Sequence, residues 1–186
     1  MVLSIVILCT GNSARSQIGE AILRKVSIEG GEESFKVFSA GTRPLGRVHP
    51  LAIKVMEEAG YDMSAARSKN ISEYDGHTFD VVITVCGNAN ETCPLIKANI
   101  VRYHWGFEDP SSFEGTEDEK LEAFRATRDA MVALFEPYGR DLAEGNCEPT
   151  EFHYEFMDLS DHLGHLGERG EEPKEVLFSS LGEDCN

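Results

Sequence analysis

No run of about 18 consecutive apolar residues occurs in this 186-residue chain, so nothing in it reads as a membrane-spanning helix. Positive charge is scarce: 17 Lys plus Arg stand against 33 Asp plus Glu, a formal net charge of −16. That balance argues against a nucleic-acid or anionic-membrane partner, because both require a basic surface. No Lys or Arg precedes the apolar start, Met1 to Leu8, so the positive region of a secretory signal is missing and a reducing, cytoplasmic setting is expected. The cysteines, at 9, 86, 93, 147 and 185, include no Cys-x-x-Cys. An odd set without that spacing supports neither a disulfide framework nor a zinc ribbon nor a thioredoxin-type motif.

With 41% hydrophobic and 27% charged residues, the chain is long enough for one domain with a real core. Its acidity is unevenly placed. Residues 141–186 hold thirteen acidic residues against Arg169 and Lys174, leaving a net charge of only −5 for residues 1–140. We therefore expect a domain over 1–140 and an acidic extension over 141–186. Phe152, Tyr154, Phe156, Met157 and Leu159 make that extension too apolar for a solvated tail. A short helix near 150–166 is expected there, followed by an irregular end with EVLF as an extra strand.

Within the domain, VLSIVIL (2–8), FKVFSA (35–40), FDVVITV (79–85) and NIVRYH (99–104) read as strands, the first and third apolar on both faces. Helical patterns follow the first strand, span 50–59 behind Pro50, and span 117–136 ahead of Pro137 and Gly139. This alternation predicts an α/β fold, a three-layer αβα arrangement around a four-stranded parallel sheet.

The turn after the first strand, Cys9-Thr10-Gly11-Asn12-Ser13-Ala14-Arg15-Ser16, carries the chemistry. A helix N-terminus leaves amide donors unpaired and carries partial positive charge, so a tight loop feeding into it wraps donors around an oxyanion. Gly11 lets the backbone approach closely, and the planar fork of Arg15 binds two oxygens of a tetrahedral anion. Cys9 lies at the mouth of the same field, which favours its thiolate, and Ser16 is placed to donate to it. Thr10 to Arg15 are the expected anion-binding residues.

CTGNSARS resembles the phosphate-binding loop of the low-molecular-weight protein tyrosine phosphatases and of the thioredoxin-coupled arsenate reductases on the same fold. Three features favour the reductases. Cys86 ends TVC and Cys93 follows within CGNANETCP, as a reductase pair does. HWGFEDPS, at 104–111, is similar to the reductase Asp-Pro loop, with Ser111 and Ser112 where a phosphatase offers an aromatic side chain. Gln17 stands where phosphatases usually have Pro.

The resemblance covers residues 2 to about 140 and implies a three-thiol relay. Cys9 attacks arsenate held by the loop and Arg15. Asp109, kept protonated by burial near the loop, acts as general acid. Cys86 and then Cys93 carry the disulfide outward to thioredoxin. Phosphate or sulfate would mimic the substrate, no cofactor is needed, and a monomer is expected. The alternative is a phosphatase hydrolysing phosphate monoesters through a Cys9 phosphoenzyme.

Asn12, Glu20 and Ser39 match positions of a potassium site in some arsenate reductases, but the remaining carboxylate position is Lys69 here, so no metal is expected. His153, Asp158, Asp161, His162 and His165 are too loosely spaced for a metal site. Cys147 and Cys185 read as spare thiols, and Trp105 as loop packing.

Overall fold

The computed structural model describes residues 2–29, 31–87 and 96–146. Cys93, Cys147, Cys185, the expected helix near 150–166, the EVLF strand and the His153–His165 group lie outside them. Four strands and three α-helices alternate: β1 (Leu3–Cys9), α1 (Arg15–Ile28), β2 (Phe35–Gly41), α2 (Pro50–Glu58), β3 (Phe79–Thr84), β4 (Ala98–His104) and α3 (Glu117–Glu144). Two 3-10 turns, Ile71–Tyr74 and Pro110–Ser112, complete the set.

All strand pairs are parallel and the order is β2-β1-β3-β4. The central strand β1 is buried on both faces, as its unbroken apolar run requires. Its pleat divides the core. Ile5 and Ile7 pack with Val81 and Ile83 against a cluster supplied by all three α-helices. Val6 and Leu8 face the other way, into a smaller cluster with Phe79 and Val82, closed by Phe38, Ile71 and Tyr74. Among the described residues, the helical cover of that second face is the single turn Ile71–Tyr74. Register places Cys9 opposite Gly41, Leu8 opposite Thr84 and Thr84 opposite His104. The turns that follow β1 and β3 therefore leave one sheet edge side by side, at the point where strand order reverses, which is where open α/β sheets hold ligands.

The helix starts differ in a way that matters for the site. Thr116 and Glu119 form a reciprocal capping box at the start of α3, with Glu117, Asp118 and Glu119 in its first turn. His49 caps α2 by accepting the Leu51 N–H on Nδ1 at 3.2 Å. By contrast, α1 starts behind Ala14 with no side-chain cap and no acid in its first turn, so its N-terminal donors and dipole face the preceding loop unmatched. Gly19 holds this helix close to the sheet: a β-carbon there would lie 3.1 Å from both Ile7 Cδ1 and Phe135 Cε1.

The third helix departs from expectation. It was predicted to end at 136, and it continues through Pro137 to Glu144. Proline costs one backbone hydrogen bond within a helix, but the next turn is anchored. Tyr138 is fully buried and meets Trp105 edge-on at 5.2 Å, while Gly139 abuts Leu23 and Val26 of α1. Burial therefore outweighs the local break, and Gly145 ends the helix in the left-handed conformation at φ 68. Trp105 also packs on Phe135 at 4.9 Å, in keeping with a packing role. Pro137→Ala should raise unfolding free energy by about 1–3 kcal/mol, because it restores the missing bond inside a continuous helix. Urea denaturation showing no change would place residue 137 outside the helix.

Candidate active site

Cys9 ends β1 and is 3% exposed. Its sulfur accepts the Asn12 backbone N–H at 3.1 Å and lies 2.9 Å from Ser16 Oγ. The Asn12 amide Nδ2 donates to Ser16 Oγ at 2.9 Å. That fills an acceptor position on the hydroxyl and turns its proton toward Sγ. The sulfur thus faces two donors.

The loop is shaped from outside. Segment 43–49 runs along it, with Arg43 N–H donating to Thr10 O at 2.9 Å, Leu45 N–H to Gly11 O at 3.0 Å and His49 N–H to Ser13 O at 2.8 Å. With those carbonyls committed, the backbone N–H groups of Gly11, Ser13 and Ala14 find no acceptor among the described residues. Ser13 and Ala14 are buried, and buried amides without acceptors are costly unless a ligand takes them. The Thr10 hydroxyl is likewise buried without a partner. Gly41 is required for this fit, since a β-carbon would stand 2.5 Å from Thr10 O and 2.9 Å from Asn12 N.

Beneath the loop lies a buried polar network. Asn12 takes a left-handed backbone, φ 43. Its Oδ1 accepts from Lys69 N at 2.7 Å and from Gln17 Nε2 at 2.8 Å, and its Nδ2 donates to Ser39 Oγ at 2.8 Å as well as to Ser16. Ser39 in turn donates to Glu20 Oε2 at 2.5 Å, which also receives the Lys69 ammonium at 3.0 Å. Arg24 pairs with the other Glu20 oxygen. Glu20 and Lys69 are each 6% exposed. The residues around Glu20 do not fit a potassium ion, because the ammonium of Lys69 already holds its carboxylate.

Across the loop, Arg15 is 4% exposed and held by two groups of the Asp-Pro loop. Its Nη1 donates to Phe107 O at 2.9 Å and its Nη2 pairs with Asp109 Oδ2 at 3.0 Å. Asp109 Oδ1 accepts from Ser111 N at 3.1 Å and Ser111 Oγ at 2.7 Å. Here the structure corrects the sequence reading. The burial expected around Asp109 is not built, since its side chain is 28% exposed and paired with Arg15. Cys86 is 2% exposed just beyond β3. Gly87 lies so near Phe107 O, 2.0 Å from a hypothetical β-carbon, that the turn after β3 and the Asp-Pro loop are packed backbone to backbone. Cys9, Thr10 to Arg15, Ser16, Asp109 and Cys86 are thus gathered at one sheet edge. The Phe107 carbonyl and the Gln17 amide escaped sequence reasoning, because a backbone acceptor has no residue signature and Gln17 served only to separate two families.

A family model for low molecular weight phosphotyrosine protein phosphatases matches residues 4–144. The chain belongs to this family. Within the low molecular weight phosphatase family its relatives include an arsenate reductase of Bacillus licheniformis, 44% identical over 128 residues that span 69% of this chain and 88% of the relative. Another is an arsenate reductase of Bacillus subtilis, 42% identical over 124 residues, 67% of this chain and 86% of the relative. A solved arsenate reductase in a phosphate-binding state superposes with a TM-score of 0.57 at 28% identity, covering 76% of this chain and 99% of that one.

Lys69→Met should cost about 3 kcal/mol, the usual penalty for stranding one member of a buried pair. The unchanged protein should gain no more stability from potassium than from sodium at equal concentration, as thermal melts would register. Burial pushes the His49 imidazole below its ordinary 6.5, with Arg47 adding and Asp109 and Glu117 opposing. Burial also lowers His104, helped by Arg102. Both groups therefore contribute stability that is complete above pH 6.5 and declines as pH falls toward their folded-state values. Denaturation midpoints should drop between pH 7 and 5, and the slope should flatten in H49N/H104N.

Proposed function

We propose that this chain reduces arsenate to arsenite by a relay of three thiols, Cys9, Cys86 and Cys93, regenerated by thioredoxin. The observation that carries the reading is a second buried thiol beside the anion loop. Val85 N–H donates to Leu8 O at 2.9 Å, so the chain still runs alongside β1 one residue before Cys86. Parallel continuation of the two chains would set the Cys9 and Cys86 Cα atoms about 6 Å apart, inside the range a disulfide needs. The relatives at 42–44% identity support the same reading.

Arsenate displaces Asp109 from the Arg15 fork and takes the amides of the loop. Cys9 thiolate attacks arsenic, an oxygen leaves as water with a proton from Asp109, and a Cys9–arsenic bond forms. Cys86 thiolate then attacks Cys9 Sγ. The sulfur–arsenic bond breaks, its electron pair reduces As(V) to As(III), arsenite departs and a Cys9–Cys86 disulfide remains. Cys93 thiolate attacks Cys86 Sγ, freeing Cys9 and leaving Cys86–Cys93 for an external dithiol. Phosphate has the same shape and charge as arsenate, so Cys9, Arg15 and Asp109 also suit slow phosphate-ester hydrolysis.

Cys93→Ser should abolish arsenate-dependent NADPH oxidation coupled through thioredoxin and thioredoxin reductase, while hydrolysis of p-nitrophenyl phosphate persists within about twofold. Unchanged coupled turnover would sink the relay and favour a phosphatase.

A further inference from the structure

Six arginines among the described residues are paired with acids. Arg15, Arg24, Arg67, Arg125, Arg128 and Arg140 each hold a carboxylate at the distance of an ion pair, as expected where acids outnumber bases two to one. Arg43 and Arg47 hold none. Both are exposed, and among the described residues neither has a carboxylate within ion-pair reach. They sit in the segment whose backbone is hydrogen-bonded to Thr10, Gly11 and Ser13 of the anion loop. Leu45 between them is 69% exposed and packs against Gly11, 3.2 Å from a hypothetical β-carbon there. The segment thus forms a lip beside the cradle, and it carries two guanidinium groups that lie outside ion-pair reach of every described carboxylate.

We infer that Arg43 and Arg47 recruit the tetrahedral dianion into the loop, acting as positioning residues that hold the entrance positive in a chain of net charge −16. The inference rests on the oxyanion reading of the preceding subsection and assigns the capture step to residues outside the Cys9–Arg15 cradle. Two unit charges about 10 Å from a dianion at the dielectric of water raise its local occupancy about fivefold at 20 mM ionic strength, and less than twofold at 0.5 M. With no carboxylate partner, the field of both groups stays open to a mobile anion. A neighbouring acid would cancel the field at the entrance, as Glu73 does for Arg67 at 2.7 Å.

The test uses the full chain and inorganic phosphate, reading protection of Cys9 from iodoacetamide by peptide mass spectrometry. Iodoacetamide is uncharged, so lip charge does not alter its own approach. In R43Q/R47Q the phosphate concentration for half protection should rise about fivefold at 20 mM salt and less than twofold at 0.5 M salt. The control K36Q/K97Q removes two exposed cations at the opposite end of the sheet, Lys36 beside the first residue of β2 and Lys97 just before β4. It should shift half protection less than twofold at either salt. Three outcomes overturn the inference: no shift in R43Q/R47Q, a shift equally large at high salt, or an equal shift in the control. Failure of phosphate to protect Cys9 in the unaltered protein would overturn the oxyanion reading itself, a result distinguishable from failure of the lip alone.

Discussion

The left-handed backbone of Asn12 is the constraint on which the site is built. A non-glycine residue at φ 43 costs on the order of 1–3 kcal/mol and persists only where its surroundings over-determine it. Here the side chain is held at both ends, with Lys69 N–H and Gln17 donating to its oxygen and its nitrogen donating to Ser39 and Ser16. That turn of the chain aims the Asn12 N–H at Cys9 Sγ and leaves the following amides without partners. A residue that relaxed to an ordinary conformation would move the Asn12 N–H off Cys9 Sγ and disturb the amides that follow it.

Support reaches Cys9 from two sides of different stiffness. Below, the chain of contacts from Ser16 through Asn12, Ser39 and Glu20 ends on a buried ammonium, and every member is hydrogen-bonded. Such networks rigidify a core when fully satisfied. Above, the partners of Arg15 include the Phe107 carbonyl and a carboxylate that is 28% exposed. Solvent weakens that pair, and a dianion with two oxygens for the same fork can replace it. The arrangement is closely bonded beneath the loop and reached by solvent above it.

The four strands, the loop and the pairing of Cys9 with Arg15 were legible because each leaves a local mark: an apolar run, a Gly and Ser turn, a Cys and Arg six residues apart. Asp109 was reached only through the resemblance. The Lys69 substitution was legible too, since one residue departs from a pattern. What stayed hidden depends on tertiary contacts. Pro137 reads as a stop, and only the burial of Tyr138 and the fit of Gly139 against α1 carry the helix onward. Asp109 beside Pro110 says nothing of its exposure, and Arg15 says nothing of the Phe107 carbonyl that anchors it. The lip arginines carry no motif; their significance lies in the carboxylates that are not near them.

The two acids beside the loop are already paired, Glu20 with Lys69 and Arg24 and Asp109 with Arg15. The donors left open within the cradle are therefore oriented amides, and most of the −16 is screened beyond about 8–10 Å. The proposed chemistry therefore makes its first demand on Arg15. An incoming dianion must displace the Asp109 carboxylate from the guanidinium fork, and the 28% exposure of that carboxylate leaves water to receive it.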